Sequence, residues 1–300
     1  MEFYSNGKLF ILGEYYVLEG AKVFALPTKF GQTLRVFPIN TNVLTWKSYD
    51  ADGSVWFNDE ILIADVISKN IKEQDDKVRK TLIEILHQAH QQNPKLLTHG
   101  FDVETKLTFP RNWGLGTSST LINNIAQWFG IDAFELLDKS FGGSGYDIAC
   151  AQHNKPITYQ KTSNLPVVNE VHFDPDFKEN IYFVYLNQKR DSKDAIANFK
   201  KKNIKLDQEI IEVSRQTEEL LQIKNIQEFK NLIVSYENQL SLILEVPTIQ
   251  NQLFNDFDGV IKSLGGWGGD FVMAISEKDP RPYFKNKGYL TIINYKDMIL

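Results

Sequence analysis

The chain has 300 residues, of which 42% are hydrophobic and 24% are charged, a balance that excludes disordered, collagen-like and coiled-coil proteins. Its net charge of −5 gives no overall basic field for nucleic acid or anionic lipid, and its single cysteine, Cys150, excludes an internal disulfide. The apolar runs fall far short of the ~20 residues of a membrane span. We therefore expect a cytoplasmic protein of about two domains that binds neither nucleic acid nor a membrane.

The first part of the chain is rich in predicted strands. Short runs of β-branched and aromatic residues are separated by Gly, Pro, Asn and Asp, which interrupt strands. These runs predict strands over residues 8–12, 22–26, 33–37, 43–46 and 54–57. Apolar residues at steps of three and four then predict a helix over 76–92, and strict alternation predicts a strand over 100–109.

Glycine breaks separate the predicted helices that follow. The pattern predicts helices over residues 120–129, 131–141 and 146–153, and Gly142 to Gly145 divides the second from the third. Strands are expected near 156–160 and 167–173. We place a boundary at Asp174-Pro175-Asp176, which gives an N-terminal domain of residues 1–176 and a C-terminal domain of residues 177–300.

The second domain combines predicted strands and helices. It begins with an apolar strand over 181–186 and continues with helices over 193–202, 206–223 and 226–246, the last of which Pro247 ends. A further helix is expected to extend to about residue 264. Strands over 271–275 and 289–294 complete the pattern.

The first segment with chemical potential is the glycine turn from Trp113 to Ser119, between a predicted strand and a predicted helix. Gly114 and Gly116 allow the backbone to approach a ligand, and the amides at a helix N-terminus favour a phosphate. An ordinary helix cap is the alternative interpretation. The segment lacks the Gly-Lys-Ser/Thr of a Walker A loop and the third glycine of the dinucleotide fingerprint, which disfavours both nucleotide folds.

Two further glycine segments are candidates for a site. Asp147 follows the glycine break at residues 142–145 and opens an apolar helix, where it could act as a base or merely complement the helix dipole. The turn Gly265-Gly266-Trp267-Gly268-Gly269 precedes a predicted strand. It is either a tight turn or a place where backbone approaches a ligand.

Taken together, these motifs resemble those of the GHMP small-molecule kinases. The resemblance is carried by Gly-Lys-Leu-Phe-Ile-Leu-Gly-Glu-Tyr at residues 7–15, Gly-Leu-Gly-Thr-Ser-Ser at 114–119, Ser-Gly-Tyr-Asp at 144–147 and the glycine turn at 265–269. It is strongest for the mevalonate kinase and phosphomevalonate kinase branch, and Gly-Tyr-Asp-Ile-Ala at 145–149 is similar to the hallmark of the bacterial GYDIA group. The resemblance implies an α+β fold with two domains, one like ribosomal protein S5 domain 2 and one ferredoxin-like.

The resemblance also implies roles for individual residues in an ATP- and Mg²⁺-dependent kinase. Asp147 would be the catalytic base, and Lys8 would hold and polarise the substrate hydroxyl. Ser118 and Glu135 would bind magnesium, with Asp138 an open alternative to Glu135. The residues implied to bind the phosphates of ATP are Gly114, Leu115, Gly116, Thr117, Ser118 and Ser119. Those implied to bind the substrate are Lys8, Ser144, Gly145, Asp147, Gly268 and Gly269.

The sequence departs from the family pattern in three places. The interval between Ser118 and Asp147 is short, which leaves the magnesium carboxylate undecided. Trp267 and Asp270 replace smaller residues, and the lysine that usually precedes the late glycine motif is missing unless Lys262 serves. Thr120 stands where alanine is usual. These departures bear on the substrate and on metal binding.

The acceptor and the partners follow from the same resemblance. We expect ATP and a small-molecule substrate as partners, and we leave a homodimer open. A phosphorylated acceptor requires extra cations, and Arg111, Lys22, Lys29 and Lys106 are candidates; the Ser-Gly-Tyr-Asp motif slightly favours phosphomevalonate over mevalonate. The alternatives are a catalytically silent binding or interaction protein of the same fold, and an enzyme for a sugar, homoserine or diphosphomevalonate.

Overall fold

The computed structural model describes residues 1–74, 76–163, 165–188, 199, 206–267 and 269–300. It is an α+β structure, as the resemblance implies. The strands are β1 (Glu2–Leu12), β2 (Lys22–Ile39), β3 (Val43–Tyr49), β4 (Val55–Leu62), β5 (Gly100–Leu107), β6 (Ile157–Gln160), β7 (Val167–Glu170), β8 (Ile181–Tyr185), β9 (Val260–Leu264), β10 (Phe271–Ile275) and β11 (Ile292–Asn294). The helices are α1 (Ile63–Ser68), α2 (Lys77–Gln92), α3 (Thr117–Phe129), α4 (Ala133–Ser140), α5 (Tyr146–Gln152), α6 (Asp207–Leu220), α7 (Ile226–Leu244), α8 (Ile249–Leu253), α9 (Arg281–Asn286) and α10 (Tyr295–Met298).

The chain forms two compact units. The first unit consists of Met1–Gly7, Phe30–Arg111 and Leu115–Gln152, and the second of Lys8–Lys29, Asn112–Gly114 and His153–Leu300. Strands β1 and β2 each contribute residues to both units, because these strands are long. The division into domains 1–176 and 177–300, placed at Asp174-Pro175-Asp176, stays a prediction.

The first unit is built on a mixed sheet. Its strand order is β4, β3, β5 and residues 30–39 of β2, in which β3 and β5 are parallel and the other pairs antiparallel. Helix α2 begins at Asp76, whose carboxylate accepts from the Arg79 amide at 2.7 Å, as an N-cap should. The apolar faces of the sheet and of helices α2 to α4 form one buried core, including Trp46, Leu86 and Ile125.

The second unit contains an antiparallel sheet in the order β11, β8, β10, β9. Strand β10 is central, and Phe271 pairs with Tyr185 on one side and with Leu264 on the other. All five residues of β10 are buried, which matches their unbroken apolar sequence. Residues 22–25 of β2 pair with β6, and β6 pairs with β7, in the same unit.

The structure corrects several predicted elements. The predicted strands at 22–26 and 33–37 are one continuous strand, β2, and the helix expected up to residue 264 is wrong. Helix α8 ends at Leu253, and Val260–Leu264 is strand β9, because its backbone groups pair with β10. Short helices α1, α9 and α10 have no clear periodicity and went unpredicted. The helix predicted at 193–202 lies outside the described residues apart from Phe199.

No helix in the described ranges is long and apolar enough to cross a membrane.

Candidate functional site

The glycine loop after β5 has the backbone that the sequence suggests. Gly114 has φ 69° and Gly116 has φ 98°, both in the left-handed region. In the second unit, a Cβ atom on Gly114 would lie 2.1 Å from Oδ2 of Asp270, a separation that real side chains do not tolerate. Glycine thus suits residue 114 both for its conformation and for the space that the Asp270 carboxylate takes, and a side chain there would require Asp270 to shift.

The loop leads directly into helix α3 in the first unit. Gly116 is the N-cap residue and has no side chain that could accept from the first-turn amides. Ser118 is exposed, Thr117 and Ser119 are half-buried, and Leu115 is buried. The start of this thirteen-residue helix is thus suited to an anion such as phosphate.

Thr120, which differs from the family alanine, has a structural explanation. Its side chain is buried, and its hydroxyl oxygen lies 2.8 Å from Oε1 of Gln32 on β2 and 3.0 Å from the Thr117 carbonyl oxygen. The hydroxyl therefore has partners inside the protein and attaches the first turn of α3 to β2.

A ladder of neutral polar side chains connects α3 with β1 and α5 in the first unit. The Ser5 hydroxyl donates to Asn124 Oδ1 at 2.7 Å and accepts from Asn123 Nδ2 at 2.8 Å. Asn124 Nδ2 donates to the Gln32 carbonyl at 2.9 Å, and Gln152 Nε2 on α5 donates to Asn123 Oδ1 at 3.1 Å. We call Ser5, Asn123, Asn124 and Gln152 the amide ladder. It fixes the helix that follows the glycine loop relative to the helix that carries Asp147.

Asp147 is the second residue of α5 and is half-buried. It follows Gly142, Gly143 and Gly145, each with positive φ, so the chain reverses tightly before the helix begins. Ser144 is half-buried and Gly145 is buried. The structure thus places Asp147 on the same compact unit as Ser118, and its role as a base stays a prediction.

The second unit contains a small pocket that includes Lys8. Its lining includes Lys8, Trp113, Gly114, Gly265 and Asp270. Lys8 is 9% exposed and Asp270 is 6% exposed, so the pocket holds a buried cation and a buried carboxylate. The structure therefore brings two predicted site residues, Lys8 and Gly114, to one pocket. It adds Asp270, which sequence reasoning noted only as a departure from the family.

Asp270 also affects its surroundings. It has φ 42°, which is unusual for a residue other than glycine, and its backbone donates to the Gln188 carbonyl and accepts from the Leu186 amide. Burial, with a smaller contribution from the Asp270 carboxylate, raises the pKa of Tyr185. The Tyr185 hydroxyl donates to the carbonyl of Asn112 at 3.3 Å, so this part of the loop is anchored to β8.

The late glycine turn is held by its tryptophan. The Trp267 amide donates to the Tyr15 hydroxyl at 3.3 Å, and the Trp267 indole donates to the Pro247 carbonyl at 3.3 Å. Gly269 is buried, and its amide donates to the Gly266 carbonyl within the turn. Gly268 lies outside the described residues. Substrate binding by Gly268 and Gly269 stays a prediction.

The predicted metal ligands differ in how well they suit magnesium. Ser118 is exposed at the start of α3 and presents a hydroxyl oxygen. Glu135 lies on the exposed face of α4, and its carboxylate binds Lys139 at 2.5 Å; Asp138 is exposed on the same helix. The described part of the chain contains no group of three or more His, Cys, Asp and Glu that could hold a metal. Magnesium binding by Ser118 and by Glu135 stays a prediction.

The cations considered for a phosphorylated acceptor have other contacts. Lys22 binds Glu218, and Lys29 donates to the Lys296 carbonyl at 2.5 Å. The Arg111 guanidinium lies over the Trp56 ring at 5.3 Å and 3.9 Å from the Asp50 carboxylate. Lys106 lines a separate groove on the first unit with Arg35, Tyr49 and Glu104. None of these contacts points to a phosphate pocket.

The structure is similar over nearly its whole length to several solved small-molecule kinases. The mevalonate kinase of Methanococcus jannaschii matches with a TM-score of 0.71 and 16% identity, covering 98% of this chain and 97% of that chain. The phosphomevalonate kinase of Streptococcus pneumoniae, in complex with phosphomevalonate and AMPPNP, gives 0.72 and 14%, covering 98% and 99%. The galactokinase of Lactococcus lactis with galactose gives 0.67 and 14%, covering 95% and 87%.

Comparison of the sequence gives no match to any protein-family model and no match to a curated protein. The chain has the fold of the GHMP kinases, so the expected fold is confirmed. At 14–16% identity the likeness establishes the fold alone, because one fold supports many functions.

Proposed function

We propose that this chain is an ATP-dependent small-molecule kinase that phosphorylates mevalonate or phosphomevalonate. The observation that carries the proposal is the glycine loop: in a chain with the fold of small-molecule kinases, Gly114 and Gly116 turn the backbone directly into the N-terminus of α3. Phosphoryl transfer depends mainly on alignment and on stabilisation of oxygen charge, and a helix N-terminus supplies both.

In this proposal the loop residues Gly114 to Ser119 bind the phosphates of ATP. Backbone amides of the first turn of α3 donate to phosphate oxygens, and the helix dipole favours their negative charge. The amide ladder supports this role, because it connects α3 to β1 through buried hydrogen bonds and to α5 through a partly buried one. A fixed helix start avoids the entropic cost of ordering the loop around the nucleotide.

Asp147 acts as the base that accepts the proton of the acceptor hydroxyl, and Lys8 orients that hydroxyl. A positioned base contributes about 10²–10⁴-fold to the rate. Support for Lys8 comes from its burial in a pocket lined also by Gly114 and Gly265, which belong to two of the three glycine motifs. Ser144, Gly145, Gly268 and Gly269 are proposed as the remaining substrate contacts.

Magnesium would enter with the nucleotide in this proposal. Ser118 is the side chain suited to contact it, and a bound Mg²⁺ would neutralise charge on the phosphate oxygens. Because Glu135 is engaged by Lys139, no catalytic step is assigned to a metal held by this chain.

The experiment that tests the proposal is coupled ATP turnover, with Mg²⁺, on mevalonate and 5-phosphomevalonate in parallel. Asp147→Asn is the matched control, because it keeps the size of the side chain and removes the base. Turnover of one acceptor, reduced at least ~10²-fold in the variant, is the expected result. Absence of turnover on both acceptors, or a variant with unchanged kcat, would contradict the proposal.

A second candidate is a binding protein that has the fold but transfers no phosphoryl group. The Asp270 carboxylate favours it, because a buried negative charge against Gly114 opposes an incoming phosphate. Thermal stabilisation by ATP without turnover of any acceptor, including galactose and homoserine, would support this candidate over the kinase.

A further inference from the structure

A buried lysine on β9 is surrounded by charged and polar groups that the proposed reaction does not use. Lys262 has no exposed surface, and its Nζ lies 2.6 Å from Oε1 of Glu14 and 2.7 Å from the Ser263 carbonyl. Oε1 of Glu237 is 3.4 Å away, and Nζ lies 5.0 Å from the centre of the Tyr236 ring. All these residues belong to the second unit.

The second oxygen of Glu14 extends the network. Oε2 accepts from the Tyr236 hydroxyl at 2.6 Å, and that hydroxyl accepts from the Gly13 amide at 2.9 Å. Oε2 of Glu237 accepts from the Ser263 amide at 3.3 Å. The network therefore connects three segments: the turn after β1, helix α7 and strand β9. We call Glu14, Tyr236, Glu237 and Lys262 the charged cluster.

Two carboxylates, those of Glu14 and Glu237, lie near the Lys262 ammonium group, and they differ in pKa and in distance. One lysine and two carboxylates would leave an excess negative charge, which is costly in a buried position. Burial raises the pKa of Glu237 to about 7; Lys262 opposes this rise and Glu14 adds to it. Glu237 therefore carries a proton in much of the population at neutral pH. Glu14 is the closer partner of Lys262, at 2.6 Å against 3.4 Å for Glu237.

The position of this pair relates it to the candidate site. Lys262 precedes the glycine turn that starts at Gly265 on the same strand segment, and Glu14 follows β1, which carries Lys8. Tyr15, next to Glu14, accepts a hydrogen bond from the Trp267 amide in that turn and has φ 67°. The turn is thus attached to the end of β1 through both Tyr15 and the cluster.

We propose that Glu14 and Lys262 form a positioning pair that fixes residues 265–267 and 269 of the late glycine turn relative to the strand that carries Lys8. The pair does not contact the reacting atoms; it acts through the backbone of the turn and of β1. The expected effect of the pair on turnover rests on the proposed function, in which the turn and Lys8 bind the acceptor.

Hydrogen exchange of the whole chain tests the positioning directly. Lys262→Met alone leaves the Glu14 carboxylate without its counter-charge and can unfold the unit, so the informative variant is Glu14→Gln/Lys262→Met, which removes both charges. In the double variant we expect the amides of residues 265–267 and 269–271 to exchange about tenfold faster, while those of β3 and β5 keep their protection. Lys230→Met is the matched control, since Lys230 is a mostly buried lysine of the same unit that pairs with Glu277.

Steady-state kinetics provide the second readout. In the double variant the KM for the acceptor should rise about tenfold while the KM for ATP changes less than about threefold, because the turn and Lys8 are the proposed acceptor contacts. A loss of fold would lower all activity together and would not produce this split. A double variant with unchanged turn exchange, or with equal changes in both KM values, would overturn the positioning role.

The two proposals fail in different ways. If the wild-type chain turns over neither acceptor but the double variant still loosens the turn, the kinase proposal is wrong and the positioning pair stands. If the wild type is active and the double variant keeps wild-type exchange, the pair contributes only to stability.

Discussion

The two units stabilise the segments next to their glycine turns by different chemistry. In the first unit the amide ladder fixes α3 with neutral groups, at donor–acceptor distances of 2.7–3.1 Å. In the second unit the charged cluster fixes the late glycine turn with a buried ion pair at 2.6 Å. Loss of one neutral hydrogen bond removes that bond alone. Loss of one member of a buried ion pair leaves the other charge buried without a partner, and the pair also depends on pH. The second unit should therefore be the more sensitive to mutation and to pH.

The largest difference in the free energy of unfolding is expected between a variant that lacks one member of the charged cluster and one that lacks one member of the amide ladder. Lys262→Met should lower the free energy of unfolding by about 3–5 kcal/mol, because it leaves Glu14 charged and buried. Asn124→Ala should cost about 1–3 kcal/mol, because Ser5 and the Gln32 carbonyl lose a neutral partner. Urea unfolding measures both values. Equal losses would show that the charged cluster is no more demanding than the amide ladder.

The charged cluster should also make stability depend on pH, whereas the amide ladder should not. The pKa of Glu237 rises from 4.5 to about 7 on folding, chiefly through burial. The folded state therefore binds the proton more tightly, and its advantage, complete below pH ~4.5, is lost as the pH rises through about 7. The difference in unfolding free energy between the wild type and Glu237→Gln should fall by about 3 kcal/mol over this window.

Glu14 and Lys262 also face Glu237, so the matched titration of Glu14→Gln/Lys262→Met shows how much of the effect belongs to Glu237 alone. If the difference in unfolding free energy between the wild type and Glu237→Gln stays constant from about pH 4 to 8, the titration assigned to Glu237 is wrong. The amide ladder should show no pH dependence of this kind, because its groups are neutral.

A smaller effect is expected at the glycine loop. Gly114→Ala should cost about 2 kcal/mol, since its Cβ meets the Asp270 carboxylate and its φ is positive. In the double variant Gly114→Ala/Asp270→Gly the clash with the carboxylate is removed, but the unfavourable positive φ at residue 114 remains. The double variant should therefore still lose about 1 kcal/mol of stability through that φ. Thermal unfolding of the two singles and the double measures the coupling. Additive losses would show that Asp270 does not fill this space.

The smallest effect is expected on α4. Glu135→Gln removes an exposed pair with Lys139 and should change stability by less than about 0.5 kcal/mol. If Glu135 takes no part in metal binding, the variant also keeps the Mg²⁺ dependence of ATP turnover. A marked rise in the Mg²⁺ concentration needed for half-maximal turnover would restore Glu135 as a metal ligand.

Much of the local structure was predictable because it depends on neighbouring residues. Alternation over 100–109 predicted β5, and periodicity over 76–92 predicted α2, which the structure begins at Lys77. The glycine loop was placed between a strand and a helix for the same reason, and the structure has that order. The error after Pro247 arose because the short segment Val260–Leu264, in which Lys262 and Ser263 stand between apolar residues, has no period that separates a strand from a helix, and only pairing with β10 decides between them.

By itself, the sequence determined the order of most elements, the three glycine motifs and the resemblance that implies the fold, because spacing and residue type are local properties. The tertiary structure decided which charges meet. Lys262 and Glu14 are 248 residues apart in sequence, and no periodicity links them. The same holds for Asp270 against Gly114, and for Gln152 with Asn123. A buried polar group must find its partner wherever the folded chain brings one, so these pairs are visible only after folding.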